Sequence, residues 1–467
     1  MAGAETIDRL RQYLRELAPP ARSLLIGELE RAVLQGEEVA GADLVLHELR
    51  FVVREQREGA PRMGHSARLF FEPLEPFLVD DRADHNHPGR IARCSLDQLW
   101  TWVRRDLLAD EAKAVTDDVQ TALLADDEPR AVHLTRAFQD KVADAIEAAF
   151  AAADNEKLHR RLLAQIGTPR AYDDAMALKC ALKGRDTLEM LAAHLPLRIG
   201  NLANGQLDEC KTLIEGLAAR DGELFLHGLL TVMCRLASPW QLIRLGIKAA
   251  GSDTAARVAE THYGVAVTIV LAELERLVGE LRDDLRSGRG VANGALLKII
   301  HDAARGLRTE LDLPIDSTWG RALAGQRAQI GDLLRAEIES MPGRVRRLLR
   351  ARPSSEIRPN SVLDPDEVAE TEALVEFVGA CRYFASELAI NEMTQRTFSE
   401  LQQYLDSGTR ALLDGLRHAG EADRGFRQSQ VDAARRFCAK VFGRDYAALL
   451  GKAAEVAGSA ERKAAGA

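Results

Sequence analysis

The sequence predicts an all-α protein, an elongated multi-helix bundle or array with one long central helix at about residues 254–287 and a C-terminal helical bundle. Three observations predict it. Aromatic residues make up only 5% of a chain that is 46% hydrophobic, so its core must be built mainly from Leu, Val, Ile and Ala, a composition that favours helices. Apolar residues recur at steps of three and four in segment after segment, which places them on one side of a helix. Helix start signals such as Ser95 with Gln98, Thr168-Pro169 and Asp364-Pro365 recur along the chain.

The central stretch carries the clearest pattern. Gly264, Val267, Leu271, Leu274, Val278, Leu281 and Leu285 form a heptad seam, and Val270 and Leu277 widen it. A stripe that wide predicts a helix packed against several neighbours in a bundle, rather than one partner in a two-stranded coil.

Taken in order, residues 1–58 read as an N-terminal helical segment of three helices, broken at Pro19-Pro20 and at Gly36 to Gly41. Residues 59–94 lose the helical period. Pro61, Pro73, Pro76, Pro88 and Gly89 punctuate them and Phe70, Phe71 and Phe77 gather there, so this irregular Pro/Phe-rich segment reads as a functional loop or a strap across the helices. Ser95 with Gln98 three residues on forms a capping box that opens the central helical array, residues 95–343. Within it, Thr168-Pro169 marks a further helix start, and Ile330, Leu333, Leu334 and Ile338 define a helix ending near Met341-Pro342-Gly343. A basic run and polar linker occupy residues 344–363. Asp364 as N-cap, Pro365 at the first helical position and Glu367 then start the C-terminal bundle, residues 364–457, followed by a tail, 458–467, expected to be disordered.

Bulk properties bound the function. A chain of 467 residues is long enough for several cores, and a net charge of −9 argues against chain-wide attraction to nucleic acid, leaving room for a local basic patch. The six cysteines are scattered without a C-x-x-C pair, the usage of a reducing compartment. No secretory leader is expected from Met1 to Leu10, and the most apolar window, Val265 to Ala272, is far shorter than the roughly 20 residues that span a bilayer. The expected setting is cytoplasmic, with no integral membrane segment and no cofactor.

Two residue clusters carry chemistry. Arg344, Arg346, Arg347, Arg350 and Arg352 concentrate positive charge in a net-acidic chain; they fit an acidic protein partner, a phosphate-bearing ligand or a peripheral anionic membrane surface, or else the solvated C-terminal end of a helix, where the macrodipole favours cations. Asp84, His85 and His87 supply metal-ligating atoms on adjacent loop positions, with a solvated acidic turn as the structural alternative. Glu156 and His159 stand at the Glu-x-x-His step of di-iron bundles but without a second copy, and read as a surface pair. His262 falls opposite the seam and reads as exposed. Leu242 to Val258 has the helix, Gly-containing turn and second helix of a helix-turn-helix, although its second helix runs into the buried seam. No Gly-x-Ser-x-Gly, His-Glu-x-x-His or phosphate-loop motif is present.

The primary expectation is therefore a non-catalytic cytoplasmic scaffold or adaptor that binds protein partners, itself included. The alternatives are an enzyme or metal-binding protein with a site near residues 59–94, and a DNA-associated regulator acting through residues 242–258.

Overall fold

Three-four spacing becomes helix almost everywhere. The computed structural model describes residues 10–34, 41–55, 66–80, 88–125, 127–220, 222–286, 294–359 and 361–464. Its earlier helices are α1 over residues 10–16, α2 Pro19–Leu34, α3 Ala42–Glu55, α4 Ser66–Phe71, α5 Arg93–Trp102, α6 Ala109–Leu124, α7 Glu128–Ala152, α8 Glu156–Ile166, α9 Pro169–Lys183, α10 Arg185–His194 and α11 Asn204–Arg220. The later ones are α12 Phe225–Arg235, α13 Ile243–Ala250, α14 Ala255–Ala259, α15 Gly264–Arg286, α16 Gly294–Glu310, α17 Thr318–Leu349, α18 Pro365–Tyr383, α19 Ala385–Leu388, α20 Asn391–Arg417, α21 Glu421–Val441 and α22 Arg444–Ala464. The architecture is an all-α multi-helix assembly. Its one sheet among the described residues joins β1 Leu78–Val79 and β2 Ile91–Ala92 in parallel, with Leu78 opposite Ile91. The chain divides into two compact units, residues 1–84 with 90–186 and residues 85–89 with 187–467.

In the first unit, α1 to α3 bury a small core of their own around Leu14, Ile26, Leu46, Leu49 and Val52. The described part of the Pro/Phe-rich segment, residues 66–80 and 88–94, contributes Phe70, Phe71, Leu74, Phe77 and Ile91 to the core. Its aromatic residues fold as α4 and a following 3-10 turn, Glu72–Phe77, and Phe70 packs against Phe71, Trp100 and Phe138 with ring centroids 5.0, 5.1 and 5.7 Å away. Gln139 on α7 donates to the Phe70 carbonyl at 2.7 Å, giving that buried backbone oxygen the partner it needs. Buried Arg185 in turn donates to Gln139 Oε1 at 2.6 Å. Ser95 and Gln98 do not cap a helix, because α5 starts two residues earlier, at Arg93. They reach across to α9 instead: Ser95 hydrogen-bonds the Asp174 carboxylate, and the Thr168 hydroxyl meets Gln98 Oε1 at 2.8 Å. Thr168 caps α9 as expected, accepting from the Ala171 N–H at 3.2 Å.

In the second unit, the central seam is helical from Gly264 rather than Thr254. A turn at residues 260–263 separates it from the short α14, and there the Thr261 backbone N–H and hydroxyl both donate to the Val258 carbonyl. Val267, Val270, Leu271, Leu274, Leu277, Val278 and Leu281 are all buried, against α13, α16 and α17, so the wide stripe does meet several neighbours. Among the described residues the longest helix is α17, with 32 residues. It runs through Pro342, where the sequence reading ends it. A proline there removes one backbone hydrogen bond, yet Met341, Pro342, Val345, Leu348 and Leu349 are all buried, and packing on both sides of the proline outweighs the loss. Asp364 caps α18 through its carboxylate, accepting from the Asp366 N–H at 3.0 Å. α17, α18, α20, α21 and α22 pack into the C-terminal bundle. α22 continues past Gly458 to Ala464, where the sequence reading places a disordered tail.

Candidate functional site

The arginine run forms the last two turns of α17 and the segment after it. Arg346 pairs with Glu400 on α20 and lies over the Tyr404 ring, 5.7 Å from its centroid; Arg347 pairs with Glu367 in the first turn of α18. Arg352 lies over Phe426 at 5.3 Å. Arg344 and Arg350 have no side-chain partner among the described residues. The structure thus brings three of the five predicted binding residues into contacts with other helices of the bundle, the two ion pairs at its surface. The end of α17 is held from α21, where Gln430 donates to the Leu348 and Arg350 carbonyls at 2.9 Å each and satisfies oxygens that a helix terminus leaves open.

Asp84, His85 and His87 lie outside the described residues. Among those described, no three His, Cys, Asp or Glu side chains come together to hold a metal ion. Glu156 pairs with Arg160, and the exposed His159 meets the Tyr172 hydroxyl through Nδ1 at 2.9 Å, so the two make separate surface contacts. His262 is exposed and stacks edge-on against Phe225 at 4.9 Å. The second helix of the helix-turn-helix-like stretch is α14, five residues long, and its Arg257 pairs with Glu260 at 3.3 Å. A reading helix presents several polar side chains to base edges; α14 offers little of this.

The arrangement best suited to recognition is one the sequence reading did not single out. An open cleft of about 380 Å³ lies where α18, α21 and α22 meet. Ala439, Ala447, Ala448 and Gly451 line it with small side chains, and Arg435 lies against Gly451. Charged side chains stand around it. Arg436 is spoken for, donating through Nε to Glu372 Oε2 at 2.7 Å. Arg435 and Lys452 line the cleft with no partner among the described residues; the carboxylates beside them are Glu455 and the Arg436-bound Glu372. Along α22 the outward Leu449 is 66% exposed and Val456 is 67% exposed.

No protein family, curated protein or solved structure matches the chain. Chemistry must therefore be read from the site itself. A guanidinium and an ammonium group at an open cleft can pair with carboxylates, the guanidinium of Arg435 in bidentate fashion and the ammonium of Lys452 as a point charge. The cleft was hidden in the sequence because Arg435 and Lys452 lie on different helices, and each sits in an ordinary mixture of charges. Only the pairing of Arg436 with Glu372 and the small residues at Ala448 and Gly451 set them apart. Other potentially reactive groups are muted by burial: it pushes the Cys381 and Cys438 thiols up to about 12, keeping them protonated.

Proposed function

We propose that the chain is a non-catalytic helical adaptor that docks a carboxylate-bearing protein partner in the cleft between α18, α21 and α22. The observation that carries this reading is the contrast in pairing: Arg346, Arg347 and Arg436 are engaged by other helices of the bundle, whereas Arg435 and Lys452 line an open cleft without a partner among the described residues. The wide burial of the α15 seam supports a rigid platform for such a site. Six scattered cysteines without a C-x-x-C pair support a reducing, cytoplasmic setting, and no helix among the described residues is long and apolar enough to cross a membrane.

The test is cross-linked co-purification from the native cells, comparing the unaltered protein with an Arg435→Glu/Lys452→Glu variant. The adaptor reading expects specific partners, cross-linked through Asp- or Glu-rich segments, to disappear from the variant while its melting temperature is kept. An identical set of partners for both proteins would reject it.

A further inference from the structure

The partner's shape can be read from the same helix. Leu449 and Val456 are seven residues apart, which puts them within about 20° of each other around α22 and roughly 10 Å apart along it. Both are exposed. The cleft residues Ala448, Lys452 and Glu455 follow the neighbouring strip of α22 over the same two turns. Half-buried Ala453 stands beside the apolar pair and keeps the ridge low. An apolar line and a cationic line thus run side by side along one helix axis.

We infer that the occupant is an amphipathic acidic helix of the partner protein, lying along α22 with two apolar side chains seven residues apart against Leu449 and Val456 and carboxylates toward Arg435 and Lys452. A helix is the ligand whose own side chains repeat with this spacing. The charge excess in the cleft selects acidic over basic helices, since a like charge facing Arg435 and Lys452 is repelled. The small side chain of exposed Ala448, next to Leu449, lets a second helix approach closely, while Arg435 itself lies over Gly451, whose added methyl would come within 3.4 Å of Arg435 Cδ. This inference rests on the adaptor reading above and adds the geometry of the partner.

Its test uses a designed helical peptide of about five turns, bearing two leucines seven residues apart and glutamates on the adjacent strip, titrated against the full chain by fluorescence anisotropy. Saturable binding is expected, about tenfold weaker for a Leu449→Ser/Val456→Ser variant and for a peptide with serine in place of leucine. Both altered positions are exposed, so the variant's melting should not change. If the serine peptide binds as well as the leucine peptide, or the variant as well as the parent, the helical inference is overturned while a carboxylate-bearing partner stands. Absence of any binding by the leucine peptide also overturns it. So does sedimentation showing that the chain dimerises and that Leu449→Ser/Val456→Ser makes it monomeric, because the occupant is then a second copy. The adaptor reading is judged separately, by the charge-reversed variant.

Discussion

The Asp174 carboxylate on α9 accepts the backbone N–H of Ala92 at 3.1 Å, joining the end of β2 to the helix behind it. The same group takes the Arg170 Nε–H at 3.2 Å and the Ser95 hydroxyl, and it is almost completely buried. Burial is the largest influence on its acidity and holds its pKa above the ordinary 3.8 despite these donors.

Replacing Asp174 with Ala should therefore cost about 1–3 kcal/mol, since it leaves the buried Ala92 N–H and the Ser95 hydroxyl without their acceptor. Asp174→Asn should cost less. The raised pKa means that the folded state holds this proton more tightly than the unfolded one, so the group's contribution is fully present below pH 3.8 and is lost as pH rises through the raised value. Urea unfolding at several pH values should show the aspartate protein losing stability relative to Asp174→Asn as pH rises above 3.8.

His227 should behave in the opposite sense. It is buried in α12, and desolvation, only partly offset by a backbone hydrogen bond at Glu223, lowers its pKa from 6.5 to about 4. The unfolded chain then binds the extra proton first. Stability from this group is present above pH 6.5 and is lost as pH falls toward 4, a change of up to about 3 kcal/mol. A His227→Leu variant should show a flatter profile over that window, measured by thermal melting; an unchanged slope would mean that other groups govern acid sensitivity.

Close packing makes Gly306 a sensitive position. A Cβ there would stand 2.3 Å from Trp240 Cδ2, far inside van der Waals contact. Gly306→Ala gains helix propensity, roughly 1 kcal/mol in a free helix, yet overpacking costs about 1–3 kcal/mol. The net expectation is a lowered melting temperature, and a stabilised variant would show that the Trp240 ring moves aside freely.

The seam of α15 is a core element. Leu274 is fully buried, and Leu274→Asp should lose several kcal/mol because it places an unpaired charge in the interior. A variant that melts normally would show that the seam faces solvent or a partner instead.

Local repetition made the helices legible. The Val267 to Leu281 stripe, the Asp364-Pro365 start and the Thr168 cap all work through residues within a turn or two of one another, and each appears where the spacing puts it. What escaped the sequence depends on contacts from afar. Ser95 looks like a cap until Asp174, far along the chain, claims its hydroxyl, and Pro342 looks like a helix end until the burial of Val345 and Leu348 carries α17 onward. The same limit governed the site. Charge density drew attention to Arg344 through Arg352, but Glu367 and Glu400 fold back onto two of those arginines. Two cations on separate helices, unremarkable in sequence, line the open cleft instead.

The most direct measurement is site-specific photo-cross-linking in native cells, with the photoreactive residue placed at Ala448 in the cleft. A carboxylate-bearing protein partner predicts an adduct at this position, mapped by mass spectrometry to an acidic segment and abolished by Arg435→Glu/Lys452→Glu. An adduct that survives charge reversal, or none at Ala448 while the same probe at Arg350 captures a protein, would contradict it.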